Sequence, residues 1–249
     1  LSAAADEPPG WEEFSVASPN GTHVALVERA PGADAKKQGW EVEWVLRVHK
    51  CEGKPGTPGG EPLWTAKYAA TGYPGGHLSD DGKRLVQVEE WFYPQAAALR
   101  FYSAAGEPAV VTGAELGIPP VKLRRTASHR IWMDTAQPAP PFSERGRVFT
   151  VTTIDGVVRS FDADMGRAVG RASGGLRAAV WTAARTVAPD AKVPVTFAVR
   201  NYADAPVEVW HSDLWVNHRI VMVGPDGKQV ARTEAGEGAR ERFGSGDRD

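Results

Sequence analysis

Cysteine is nearly absent from this 249-residue chain, which has only Cys51. One thiol forms no intramolecular disulfide, and a zinc site would need mostly the six histidines and the acids. Long hydrophobic runs are also absent; none approaches the ~20 apolar residues of a membrane helix. Neither sign of charge dominates: 29 Lys and Arg stand against 31 Asp and Glu, a net charge of −2. The basic residues are scattered, without the electrostatic footprint of a nucleic-acid or anionic-lipid binder. Sustained helical periodicity is missing; "TGAELGI" (112–118) is long enough for one helical turn before Pro119-Pro120. There is no Gly-x-Ser-x-Gly elbow, no phosphate loop ending in Gly-Lys-Ser/Thr and no His-Glu-x-x-His zinc helix. Triads scattered along a chain leave no local trace, and nothing here singles one out. No catalytic residue, metal site or cofactor is assigned.

What is present is strand pattern. "HVALVER" (23–29), "WEVEWVLRVHK" (40–50), "RLVQVEEWFY" (84–93) and "RVFTVTTIDGVVRSF" (147–161) alternate with the two-residue period of half-buried strands. In the second of these, Val42, Trp44, Leu46 and Val48 share one face. Turn signals recur between the runs. "SPNG" (18–21) precedes "THVALVE", "SDDG" (79–82) precedes "KRLVQVEE", and Asp155-Gly156 separates two alternating runs. The last is a hairpin whose turn needs positive φ. The composition, 42% hydrophobic and 24% charged, is ordinary for a globular chain, and the length allows a sizeable core. The expected fold class is all-β.

"SPNGTHVALV" and "SDDGKRLVQV" resemble the S-P-D-G-K-x-hydrophobic signature of TolB-like and related bacterial β-propellers. "VTTIDGVVRSFDADMGRAVG" (151–170) resembles the D-G-x-V-x-x-x-D-x-x-T-G repeat of quinoprotein-type propellers, with Met165 where Thr is usual. The resemblance covers about residues 11–172 and implies blade hairpins with a particular turn, not a function. Gly21 and Gly82 lie 61 residues apart, and Gly82 and Gly156 74, against ~40–50 per blade in regular arrays. The expectation for 11–175 is therefore a small or incomplete set of propeller-like repeats, degenerate blade-like sheets rather than a closed ring.

The texture changes near Val180. "AKVPVTFAVRNYADAPVEVW" and the following "RIVMVGPDGKQVA" resemble the opening strands of a bacterial immunoglobulin-like or fibronectin-like sandwich. Such a sandwich needs about seven strands and about 100 residues. Only about four strands occur before the chain ends, so 180–249 is expected to be a partial sandwich in a protein that continues beyond Asp249. At the other end, "LSAAADEPPG" carries small residues in an A-x-A pattern before Asp6. Residues 1–10 are expected to be a signal-peptide remnant and a disordered N-terminus, placing the protein outside the cytoplasm: periplasmic, cell-surface or secreted.

Three short stretches invite a chemical reading. "DADMG" (162–166) offers two carboxylates for a hard cation, but lacks the remaining EF-hand ligands. The better reading is a turn in which Asp162 accepts backbone N–H groups. "HSDLWVNH" (211–218) brings His211, Asp213 and His218 together, but strand geometry separates His218 from the other two. In "EEWFYPQ" (89–95), Trp91 and Tyr93 point one way and Phe92 the other, so one side faces a loop surface suited to stacking on sugars or peptides. "LRRTASHR" (123–130) is the one basic cluster, four cations in eight residues counting His129. The candidate ligand-binding residues are Trp91, Tyr93, Arg124 and Arg125. They imply an exported binding protein whose partner is a protein, peptide or carbohydrate, without nucleic acid or membrane insertion. The alternatives are a non-catalytic accessory region of a longer exported hydrolase and a quinoprotein-like redox enzyme. The latter would need more blades and clear cofactor contacts.

Overall fold

The computed structural model describes residues 10–72, 74–126, 129–134, 142–173, 175–182, 193–203 and 205–206. The chain divides into two units, Leu1–Asp204 and Ala205–Asp249, and all described strands belong to the first. The stretch "HSDLWVNH" and most of the immunoglobulin-like region lie outside the described residues.

The described chain is all-β, with short 3-10 turns as its only helical elements. Its strands are β1 (Phe14–Ala17), β2 (His23–Arg29), β3 (Trp44–Cys51), β4 (Pro58–Tyr68), β5 (His77–Leu78), β6 (Arg84–Val88), β7 (Ala97–Ser103) and β8 (Ala109–Thr112), followed by β9 (Arg124–Arg125) and β10 (Arg130–Ile131). Then come β11 (Phe142–Ser143), β12 (Val148–Thr152), β13 (Val158–Asp162), β14 (Arg167–Val169), β15 (Leu176–Thr182) and β16 (Val195–Asn201). Three four-stranded antiparallel meanders, β1–β4, β5–β8 and β11–β14, follow one another in sequence order, and β9–β10 and β15–β16 are two-stranded hairpins.

One turn chemistry explains three of the reversals. Ser18, Ser79 and Thr153 each direct a hydroxyl onto the side chain two residues on: Asn20 at 2.8 Å, Asp81 at 2.7 Å and Asp155 at 2.6 Å. Each also accepts, on its carbonyl, the N–H of a following glycine in the left-handed region, Gly21, Gly82 or Gly156. Only glycine takes that conformation without a Cβ penalty.

The second sheet lies between the other two, so its strands are buried on both faces and read as nearly continuous apolar runs. Leu85, paired with Tyr102, joins Val27, Trp44, Leu46 and Trp64 of the first sheet in one core. Val86, paired with Phe101, joins Phe149 and Phe161 of the third sheet in another. The face of the first sheet turned away from the second is mixed at its centre, with an Arg47–Glu28 ion pair, Thr65 and Lys67 set among Leu26 and Val45. β15, which opens at the change of texture, lies along β14, with Gly170 N donating to Ala178 O at 2.8 Å. Across that hairpin Ala178, Val180, Val195 and Val199 share a face by register, and the three valines are exposed.

The strand expected over 40–50 begins later, at Trp44. Gly39–Glu41 forms a 3-10 turn in which the Glu41 carboxylate accepts the Gln38 N–H at 2.8 Å and the Trp44 indole donates to Gly39 O at 2.8 Å. Those bonds offer residues 38–41 an alternative to the ladder. The turn expected over 112–118 is present as a 3-10 turn at Ala114–Leu116.

Because the strands run up and down, the connections alternate between two ends. At one end short turns pack on each other. Asn20 N donates to Asp80 Oδ1 at 2.9 Å, and a Cβ on Gly146 would sit 2.8 Å from Ser79 Cβ. At the other end lie the longer connections 30–43, 69–76, 89–96 and 113–134. Scaffolds commonly carry function on such loops.

Two carboxylates tie the sheets to acidity. Arg159 holds the Asp155 carboxyl well below the ordinary range, against the effect of burial. Burial also pushes Asp164 upward, but Arg84 and Arg200 outweigh it and hold its carboxyl low. Both folded values are depressed, so this stabilisation is complete above the ordinary carboxylate value of 3.8 and is lost as pH falls through the folded values. Burial raises Glu89, which acts in the opposite sense, favouring the fold at low pH and losing that contribution as pH rises. Three depressed carboxyls, Asp155, Asp164 and the exposed Glu43 beside Lys67, oppose one raised group, so the melting temperature should fall between about pH 5 and pH 2. Replacing Arg159 by Leu should flatten the fall. Circular dichroism melts independent of pH across that interval would contradict the assignment.

Candidate functional site

The long-connection end carries the sequence-predicted residues. Trp91 bridges Ile131, Ile131 pairs with Arg124, and Arg130 pairs with Arg125. Phe92 N also donates to Arg130 O at 2.8 Å. Segment 91–92, β10 and β9 thus form a small three-stranded ladder standing off the second sheet. Leu123 and Trp132 root it in the core between the second and third sheets, and Trp132 Nε1 donates to Glu89 O at 2.6 Å.

The hairpin is closed by Thr126. Its N–H donates to His129 O at 2.9 Å, and its hydroxyl accepts the His129 N–H at 3.0 Å. That closure sets the His129 ring against the Trp91 indole, with centroids 4.3 Å apart and planes 16° from parallel. Trp91 and His129 are half-buried, while Arg124, Arg125 and Arg130 are exposed. Among the described residues none of the three guanidiniums pairs with a carboxylate. The sequence supplies none locally, because no Asp or Glu occurs between Glu115 and Asp134. Arg125 and Arg130 stand directly opposite each other on the ladder, where like charges repel. A dianionic or polyanionic group seated between them would relieve that repulsion and take bidentate hydrogen bonds from both.

The register sets Trp91, Ile131 and Arg124 on one face of the ladder, with His129 stacked on Trp91, and Arg125 and Arg130 together on the other. Tyr93 lies outside the ladder, two residues beyond Trp91, with 49% of its surface exposed. The alternation expected across 91–93 is present, with Phe92 turned into the core at 7% exposure. His129 and Arg130 belonged to the basic cluster, but only the hairpin closure at Thr126 makes them partners of Trp91 and Arg125.

Asp162 takes the structural role its turn implied. Its Oδ1 accepts the N–H groups of Asp164 and Met165, both at 2.9 Å, and its Oδ2 accepts from Arg200 at 2.6 Å and Tyr202 at 2.5 Å. All of its acceptor capacity is spent on the chain. No cluster of three or more His, Cys, Asp or Glu side chains able to hold a metal occurs among the described residues. Compared with protein-family models, curated proteins and solved structures, the chain matches none.

Proposed function

We propose that the chain is an exported binding protein in which consecutive blade-like sheets, arranged openly rather than as a closed ring, present a cationic and aromatic hairpin to an anionic partner. The blade reading is supported by the three sequential four-stranded meanders and by the repeated Ser/Thr–Asx–Gly turn. The open arrangement is favoured by the charged groups on the outer face of the first sheet, where the Arg47–Glu28 ion pair and Lys67 would have to be desolvated under a further sheet. The observation that carries the function is the pair of exposed arginines, Arg125 and Arg130, set directly opposite each other with no carboxylate partner among the described residues, on a hairpin whose other face carries Arg124 and the Trp91–His129 stack. Arg and Trp are the side chains over-represented where binding energy concentrates.

Immobilised poly-L-glutamate and polygalacturonate test the reading. Retention is expected at low salt and should weaken as salt screens exposed charge. The triple variant Arg124→Ser, Arg125→Ser, Arg130→Ser removes three exposed pairs worth up to about 1 kcal/mol each. Affinity should drop roughly ten- to a hundredfold with no change in melting temperature. Absence of retention on both polymers, or equal retention of parent and variant, would sink the proposal.

A further inference from the structure

At the short-turn end, away from the arginine hairpin, β3 closes on His49-Lys50-Cys51, and Cys51 is the only thiol of the chain. β3 pairs along β2 without interruption, and the Cys51 N–H continues that ladder by donating to Thr22 O at 2.8 Å. The irregularity lies in β4. Val48 pairs with Trp64 and Lys50 with Gly59, so residues 60–63 stand opposite His49 alone. β3 therefore keeps its own alternation, and His49 and Cys51 lie on one face, roughly 7 Å apart along the strand. An imidazole and a thiolate leaning along the strand toward each other close that interval onto one ion.

His49 is 7% exposed, and the extra β4 residues fix its ring: Nδ1 lies 3.2 Å from Gly60 O. A carbonyl only accepts, so Nδ1 is the donor, and the neutral ring keeps a bare lone pair at Nε2. Nε2 is buried and has no hydrogen-bond partner among the described residues. Native structures seldom leave such an atom. An imidazole that donates from one nitrogen to a backbone carbonyl and keeps the other free has the arrangement of a metal-ligating histidine. Cys51 is half-buried, and its Sγ accepts the Gly56 N–H at 3.3 Å. An N–H pointed at sulfur supports the thiolate once a metal displaces its proton. The connection that supplies it is closed by Glu52 N donating to Thr57 O at 3.0 Å. It is also seated on the β1–β2 turn, where a Cβ on Gly21 would lie 3.0 Å from Pro55 Cβ.

We propose that His49 and Cys51 bind one Cu(I) ion in a two-coordinate thiolate–imidazole site. No third His, Cys, Asp or Glu joins them among the described residues, which leaves too few donors for zinc or calcium. Cu(I) is satisfied by two ligands, and a soft thiolate selects it. Charge decides in the same direction. Binding releases the Cys51 proton to solvent, so Cu(I) with one thiolate and one neutral imidazole carries no net charge. A divalent ion would leave one positive charge uncancelled in a buried setting, and no carboxylate joins the pair to offset it. The ion enters past the half-buried thiol, and the Nε2 lone pair gains the partner it lacks.

Anaerobic titration of the reduced full chain with Cu(I), in competition with bicinchoninate, tests this site. The chain should withdraw a single ion from the chelator, and X-ray absorption should show sulfur and nitrogen neighbours together. Cys51→Ser, a nearly isosteric change at a half-buried position, should melt like the parent and abolish uptake. His49→Gln, whose amide can still donate to Gly60 O, should weaken binding by at least about tenfold, the cost of losing even a supporting contact at a metal site. The triple arginine variant should take up the ion unchanged, which separates this site from the hairpin. No uptake by the parent, uptake that persists in Cys51→Ser, unchanged affinity in His49→Gln, or equal affinity for Zn(II) would overturn the proposal.

Discussion

Asp162→Ala is expected to lower stability by about 3 kcal/mol and the melting temperature by roughly 6–12 °C. The carboxylate is fully buried, opposite Val148, and accepts four hydrogen bonds from four residues. Two cap the turn into β14; the others draw β16 and the residue after it onto the third sheet. Alanine releases all four and leaves Tyr202 Oη and Arg200 without this acceptor. Losing one partner of a buried ion pair costs ~3–5 kcal/mol. The lower end applies because Arg200 is 38% exposed and keeps Asp164 at 2.7 Å. Asp162→Asn should be milder, since an amide oxygen can still cap the turn while the charge is lost. Denaturant melts of the two variants give the comparison. Equal stability of Asp162→Ala and parent would show that the β15–β16 hairpin docks by other means.

Trp132→Ala is expected to cost about 4 kcal/mol, within the ~3–5 kcal/mol range for truncating a buried aromatic. Trp132 is completely inaccessible, among the largest side chains of the core shared by the second and third sheets. Its loss leaves a cavity and orphans Glu89 O. The effect should reach the binding surface, because Trp132 follows directly on Ile131, the residue that joins Trp91 to Arg124. Polyanion binding should fall even though every arginine remains. Trp132→Phe keeps most of the volume but loses the N–H donor and part of the ring system, so it should fold with a cost of about 1–2 kcal/mol. Full stability in Trp132→Ala, or parental polyanion affinity in Trp132→Ala despite a lowered melt, would break the link between this core and the hairpin.

Particular elements show how much was legible beforehand. β2 matches its predicted span, 23–29, because "HVALVER" alternates and is preceded by a Ser-x-Asn-Gly turn whose chemistry is local. The Asp155-Gly156 hairpin and the Asp162 turn were readable for the same reason: each is built by side chains bonding two or three residues away. The start of β3 was not readable. "WEVEWV" alternates from Trp40, but the Trp44 indole and the Trp11–Gly39 contact draw 39–41 out of the ladder. The pairing of Arg125 with Arg130 rests on Thr126, a local signal that was available. The pairing of Trp91 with Ile131 joins segments 40 residues apart and had no sequence trace.

The sequence by itself determined the all-β character, the repeated turn and the charge of the 122–130 segment. These follow from alternation, from glycine at positive φ and from the absence of any local carboxylate. Tertiary structure alone decided which surfaces those residues share. It buried the second sheet on both faces, set His129 on Trp91, and left the buried Tyr68 Oη with no hydrogen-bond partner among the described residues. Each of those outcomes depends on which distant strands meet. Contacts between residues far apart in the chain are selected by packing and desolvation of the whole, and no short window of sequence carries that information.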